Sequence, residues 1–292
     1  MIERKGSEVM QNKTAIALGT FDGVHLGHRA VLNMPSEYKK VAVTFKVPPK
    51  MELSVGKGLI TSVEEKRQRL EKIGIDEVFL LEFGDVRNMS AQDFLHFLVE
   101  KYSPSLISCG FNYRFGKNGE GDTKFLGDFC SDNKIELNCC ESVCYNGIPV
   151  SSTLIREMLS YGKVKEAGKL LVEPFSFTSR VIEGDKRGRT IGFPTINQKY
   201  PEDKVKIKFG VYKTLVKIDN KEYNGITDIG IRPTYKSDFV ISETHIIDFS
   251  GDLYDKEVEI IPLEFIREEK KFSSLKELRN QIDVDLKYIK EI

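Results

Sequence analysis

At 292 residues, with 40% hydrophobic and 30% charged residues, the chain has the make-up of a globular protein with room for one large or two ordinary domains. Lys+Arg and Asp+Glu are both 44, a formal net charge of +0, which excludes the basic excess that draws proteins to nucleic acid over long range. No apolar run is long enough to cross a bilayer, and Met1 to Lys13 lack the apolar stretch of a signal peptide and read as an exposed extension. The cysteines, Cys109, Cys130, Cys139, Cys140 and Cys144, are odd in number and form no CxxC pair, so reduced thiols in the cytoplasm are expected, with no membrane partner and no nucleic acid.

In chain order, Thr14 to Leu18 is a short apolar run ending at glycine, which predicts a buried strand, and Val41 to Phe45 predicts a second. Thr61 with Glu64 predicts a capped helix start, and Gly74 its end. Glu77 to Leu81 reads as strand, Ser90 to about Lys101 as a capped helix, and Leu106 to Cys109 as strand. Strands alternating with helices predict a Rossmann-like parallel sheet, an α/β domain with its ligands at the carboxyl ends of the strands.

Past Glu173-Pro174-Phe175 the pattern changes. Thr178 to Ile182, Gly210 to Ile218, Val240 to Phe249 and Val258 to Leu263 are short runs of period two, which predict an antiparallel β-barrel or sandwich. Ser274 and Glu277 open a terminal helix, with Leu275, Leu278, Ile282, Leu286 and Ile289 along one face. Two domains are expected, residues 1–172 and 173–292.

Two segments carry the chemistry. The first is Gly19-Thr20-Phe21-Asp22-Gly23-Val24-His25-Leu26-Gly27-His28. The order strand, glycine-bearing loop, helix places His25 and His28 at a helix start, where free backbone N–H groups bind phosphate. Two imidazoles three residues apart can donate to phosphate oxygens as charge develops in a displacement at phosphorus. HxxH without a nearby Glu or third His makes a poor zinc site. Ser151-Ser152-Thr153-Leu154-Ile155-Arg156 adds helix-capping hydroxyls and an Arg in the first helical turn, where a bound polyphosphate offsets the unfavourable dipole. An ion pair of Arg156 with Glu157 is the structural alternative.

These motifs resemble the nucleotidyltransferase domain of bacterial bifunctional riboflavin kinase/FMN adenylyltransferases. The resemblance implies that Gly19, Phe21, Asp22, Gly23, His25, His28, Ser152, Thr153 and Arg156 bind ATP, with His25, His28 and Arg156 assisting adenylyl transfer to FMN. The loop Gly110 to Gly116 also matches, and implies flavin contacts from Asn112, Tyr113, Arg114 and Phe115; core packing is an equal alternative for Phe111 and Phe115. The chain departs from the family where Phe45-Lys46-Val47-Pro48-Pro49 stands for an acidic residue and Pro-His-Pro, and where Asn112 stands for Asp. The stretch between Arg29 and Val41 is also shorter than usual.

The second segment, Gly188-Arg189-Thr190-Ile191-Gly192-Phe193-Pro194-Thr195-Ile196-Asn197, resembles the riboflavin kinase domain, as do Gly225 to Thr234 and Glu243 to Tyr254. Gly188 and Gly192 let a loop close over ATP phosphates, and Thr195 and Asn197 offer two neutral oxygens to Mg²⁺. Arg187 and Arg189 add charge or form a solvated basic turn. Glu243 is the expected general base, sharing a strand face with His245, Ile247 and Phe249. Arg232 is a candidate flavin contact, and Asp228 replaces the family's usual Asn.

The implied activity is two-step flavin cofactor synthesis, riboflavin to FMN and FMN to FAD, in a monomer or weak oligomer. Two alternatives stay open: a riboflavin kinase with a degenerate adenylyltransferase domain, and a non-catalytic flavin-sensing regulator.

Overall fold

The computed structural model describes residues 13–49, 58–185, 187–219, 221–233 and 238–290. All of the expected extension but Lys13 lies outside the described residues, as do the side chains of Arg187 and Arg232. The chain forms two compact units: Met1–Leu53 with Val63–Val150, and Ser54–Ser62 with Ser151–Ile292.

In the first unit, β1 (Thr14–Leu18), β2 (Lys39–Phe45), β3 (Glu77–Leu81), β4 (Leu106–Gly110) and β5 (Glu136–Cys140) make a parallel sheet of order β3-β2-β1-β4-β5. The crossover helices are α1 (Leu26–Leu32), α2 (Val63–Lys72), α4 (Ala91–Tyr102) and α5 (Thr123–Asp132), with the single turn α3 (Phe83–Val86) before α4. Ile16, Leu18, Val41, Val43, Leu95 and Ile107 join one core. The central strands β1 and β4 are buried on both sides and mostly apolar, as parallel strands under helices are, while the edge strand β5 is partly exposed.

The expected strands are all present. Helix α2 begins at Val63 rather than at Thr61, which is fully buried ahead of it. Ser90 caps α4 as expected, its Oγ accepting from Asp93 N at 3.0 Å. A hairpin of β6 (Cys144–Tyr145) and β7 (Ile148–Pro149) turns on Asn146-Gly147, both at positive φ, the residues a tight two-residue turn requires.

The second unit opens with α6 (Ser152–Ser160) and α7 (Val164–Leu170) and continues into a closed six-stranded barrel. Its strands are β8 (Phe177–Ile182), β9 (Thr195–Lys199), β10 (Gly210–Ile218), β11 (Lys221–Pro233), β12 (Asp238–Ile246) and β13 (Glu257–Arg267), in the order β10-β11-β12-β9-β8-β13. The barrel alternative of the sequence reading is therefore the one realised. Inside, the hydroxyls of Thr214, Thr227 and Thr244 form a ladder at 2.9 Å spacing, and Gln198 Nε2 donates to Ser179 O and Val258 O. These partners make the burial of the three hydroxyls and of the Gln198 amide nitrogen tolerable, while Gln198 Oε1 is buried without one.

Between β8 and β9 lies the short helix α8 (Arg187–Thr190), and α9 (Leu275–Lys290) follows β13. Ser274 Oγ accepts from Glu277 N, while the Glu277 carboxylate reaches back to Ser273 N, one residue earlier than a standard capping box. Ile289 and Leu286 pack with Val211 and Ile226, but Leu275 is 51% exposed and leaves the expected face. That face instead includes buried Asp285, whose two oxygens take three hydrogen bonds from Arg267 on β13, at 2.9 to 3.2 Å. Asp285→Ala strands the guanidinium and should lower stability by about 2 kcal/mol. The readout is the thermal unfolding of the second unit.

Candidate functional sites

The strand order reverses between β1 and β4, and crevices at such reversals hold the ligands of open α/β sheets. The histidine motif leaves the carboxyl end of β1, and the aromatic loop leaves that of β4. Helix α1 is tied to β4 by Ser108 Oγ, which donates to Val31 O at 2.7 Å.

His25 is the N-cap of α1, its Nδ1 accepting from His28 N at 3.2 Å. An acceptor Nδ1 puts the ring proton on Nε2, so His25 can donate from its outer nitrogen. The two imidazoles stack with centroids 3.6 Å apart, and the Phe21 ring meets His28 edge-on at 5.3 Å. Burial holds the His28 imidazole well below its ordinary value, and electrostatic coupling to His25 and to the Lys66 ammonium lowers it further. Its Nδ1 is buried without a hydrogen-bond partner.

The turn presenting these rings is strained. Phe21 and Val24, both fully buried, have φ of 46° and 43°, and Gly23 has 87°. For the two side-chain-bearing residues this costs about 1–3 kcal/mol each. Asp22 is buried between them, at 1% exposure.

The aromatic loop divides its residues. Asn112 and Phe111 are exposed, Phe111 by 50%. Phe115 is a core residue, stacked on Tyr113 at 5.6 Å and packed against Phe94 and Phe125. Core packing therefore describes Phe115 and not Phe111. Burial pushes the Tyr113 hydroxyl up, and Arg114 lies 3.7 Å from Asp122 in an exposed ion pair that contributes little.

Ser151, not Ser152, caps α6, its Oγ accepting from Leu154 N at 3.2 Å. Ser152 and Thr153 are the first two helical residues, and Arg156 is the fifth. The expected position of Arg156 in the first turn is corrected accordingly, and with it the dipole penalty, which fades beyond that turn. Arg156 Nε donates to Gly58 O at 2.9 Å.

In the barrel, β9 and β12 pair so that Asn197 lies opposite Glu243 and Thr195 opposite His245. Because Gln198 and Thr244 face inward, Thr195, Asn197, Glu243 and His245 share the outer face. The segment before β9 covers that face. A Cβ on Gly184 would fall 2.3 Å from Asn197 Nδ2, and one on Gly188 would fall 2.2 Å from Phe193 O, so neither place admits a side chain. Asn197 is 8% exposed, and Glu243 Oε1 is buried. His245 fixes the covering segment, its Nδ1 2.9 Å from Pro194 O and its ring edge-on to Phe193. Asp228 on β11 stands on the other side of Glu243 in register, and Asp228 adds to burial in raising the Glu269 carboxyl.

The face expected for Glu243, His245, Ile247 and Phe249 ends early, since β12 stops at Ile246 and Asp248 turns the chain with φ 56°. Phe249 instead lines a cleft of about 250 Å³ together with Arg189, Thr195, Asp252 and Tyr254. Arg189 Nη2 donates to Tyr254 Oη at 3.2 Å, and Asp252 accepts from Tyr254 N, shaping the turn. Among the described residues no three His, Cys, Asp or Glu side chains could hold a metal ion by themselves. Thr195 and Asn197 are neutral oxygen donors beside a carboxylate, a set that suits Mg²⁺ shared with phosphates and water. Lys66, unmarked in the sequence reading, is buried behind the histidine turn. Its place on the buried face of α2, four residues before Leu70, was the available signal.

Two family models match the chain: FAD synthetase over residues 7–154 and riboflavin kinase over residues 171–292. The bifunctional riboflavin kinase/FMN adenylyltransferase of Listeria monocytogenes is 34% identical, covering 92% of this chain and 89% of that protein. The Escherichia coli protein of the same name is 33% identical, covering 96% and 92%. The crystal structure of a macrolide-efflux protein from Streptococcus pneumoniae superposes with a TM-score of 0.89 at 28% identity, covering 97% of this chain and 95% of that one. Among the described residues no helix is long and apolar enough to cross a membrane.

Proposed function

The chain belongs to the bifunctional riboflavin kinase/FMN adenylyltransferase family, and from that premise we propose how its residues divide the two reactions. It phosphorylates riboflavin to FMN with ATP, and adenylylates FMN to FAD with release of pyrophosphate. What supports the division is that His25 with His28 lies in the first compact unit, and Thr195, Asn197 and Glu243 in the second.

In riboflavin phosphorylation, Glu243 accepts the proton of the primary hydroxyl as its oxygen attacks the γ-phosphorus, and the bond from that phosphorus to the β,γ-bridging oxygen breaks to release ADP. Thr195 and Asn197 would hold Mg²⁺, which would neutralise charge on the phosphates, and the segment of Gly188 and Gly192 covers that face. Arg189 and the cleft beside Tyr254 receive the nucleotide, and Arg232 is retained as a flavin contact. In adenylylation the FMN phosphate, already ionised, attacks the α-phosphorus, so no base is required. His25 and His28 donate to the triphosphate as charge moves to the departing pyrophosphate, with Gly19, Phe21, Asp22 and Gly23 shaping the turn. Asn112, Tyr113 and Arg114 address the flavin, and Phe115 supports their loop from the core. Ser152, Thr153 and Arg156 are assigned to ATP from their motif alone. We place the functional boundary near residue 172, a monomer or weak oligomer in solution, and the cytoplasm as the compartment, where ATP and flavins meet.

Incubating the purified protein with riboflavin, ATP and Mg²⁺ and resolving the flavins by chromatography tests the reading. FMN followed by FAD is expected. FMN alone restricts the activity to the second unit, and neither product returns the protein to a flavin-binding role.

A further inference from the structure

Lys66 is 1% exposed, and its ammonium is spent on main-chain carbonyls. Nζ donates to Phe45 O at 2.5 Å, at the carboxyl end of β2, and lies 3.3 Å from Thr20 O, in the turn that carries the histidines. Thr44 Oγ1 donates to the same Thr20 carbonyl at 2.8 Å. Thr20 precedes Phe21, the first of the residues held at positive φ. A turn so strained keeps its shape only where its surroundings over-determine it, and Lys66 with Thr44 supplies that constraint. The lysine also acts by charge. Burial brings its ammonium down to about 8 against the pull of Asp22, and its positive charge in turn lowers His28. A cation is costly to bury, and here two carbonyls and the attraction of Asp22, all at or beside the histidine turn, offset that cost.

We propose that Lys66 is a positioning residue of adenylyl transfer: it clamps the strained turn that presents His25 and His28 to the nucleotide, and it is the fixed positive charge behind them. The inference rests on the reading of the first unit as the adenylyltransferase. It assigns Lys66 no contact with substrate. Its chemistry is to hold two imidazoles in place and to keep His28 a neutral hydrogen-bonding group until phosphate arrives.

The test is Lys66→Met in the full chain, with riboflavin phosphorylation in the second unit as the internal control for an intact protein. kcat for FMN to FAD should fall about 100-fold, the loss expected when reacting groups shift by an ångström, with KM for FMN little changed. The His28 ring, followed by NMR, should titrate at higher pH once the neighbouring charge is gone. Lys66→Arg keeps the charge and should restore the low titration of His28. Unchanged kcat in Lys66→Met, or a His28 titration that does not move, overturns the proposal. Should Lys66→Met fail to fold, the wild-type protein decides. Between about pH 7 and pH 10 the His28 shifts must register a second step as Lys66 loses its proton, and FMN adenylylation must slow over that step; a His28 curve blind to Lys66 refutes the role. Wild-type protein that makes FMN but no FAD sinks the underlying reading instead, so the two failures are distinguishable.

Discussion

Glu243→Gln abolishes riboflavin phosphorylation and leaves adenylylation of supplied FMN intact. The substitution keeps the size of the side chain on the outer face of β12, opposite Asn197, and removes its negative charge and its capacity to take a proton. A general base contributes about 10²–10⁴ in rate, so kcat for FMN formation should fall by that factor. KM for ATP should change little, because Thr195, Asn197 and the Gly188 segment are untouched. The inner face of the same strand, Ser242 and Thr244, is buried, and the hydroxyl ladder there is untouched by the change. The check is a pair of assays on one preparation, riboflavin to FMN and FMN to FAD. Loss of both in folded protein would show that the two sites are not separate. Retention of both would remove Glu243 from the mechanism and return the proton to solvent.

Local pattern carried much of this architecture. Apolar runs ending at glycine, at Leu18 and Cys109, marked the central parallel strands, and Ser90 and Ser274 marked helix starts through hydroxyls that do accept from the backbone. The sites were legible to the extent that their residues are close in sequence: His25 and His28 sit on one turn, and Thr195 and Asn197 on one strand face. Register across strands was not legible. Nothing in the order of residues places Glu243 against Asn197, since the pairing of β9 with β12 depends on barrel closure. The same holds for Asp285 and Arg267, whose ion pair bridges the last helix and a strand, and for Lys66, whose partners are carbonyls without a sequence signature. The two misplaced boundaries have local causes. Thr61 is buried ahead of α2 instead of opening it, and Asp248 adopts a left-handed turn that ends β12 before Phe249.

His28→Ala should have the opposite outcome to Glu243→Gln: FAD formation falls about 10²–10³-fold, as for loss of one preorganised donor to developing charge, while FMN formation persists. The ring is held between His25 at 3.6 Å and the edge of Phe21 at 5.3 Å, so it is presented at one angle and no neighbouring side chain is set to replace it. The loss should appear in kcat more than in KM for FMN, because the histidines address the triphosphate. The same ring imposes a pH dependence on stability. In the unfolded chain His28 takes up a proton near pH 6.5; in the folded protein burial, His25 and Lys66 defer that uptake to lower pH. Below about pH 6.5 the unfolded state therefore binds more protons, and stability falls with pH until the folded ring is protonated too. Above about pH 7 both states hold a neutral ring and the contribution is flat. Thermal unfolding of the first unit between about pH 7.5 and pH 5.5 should show a drop in midpoint that is smaller in His28→Ala than in the parent. An equal drop in both would mean that the folded ring titrates as an ordinary surface histidine, and the stacked, buried pair would then have no part in deferring its proton.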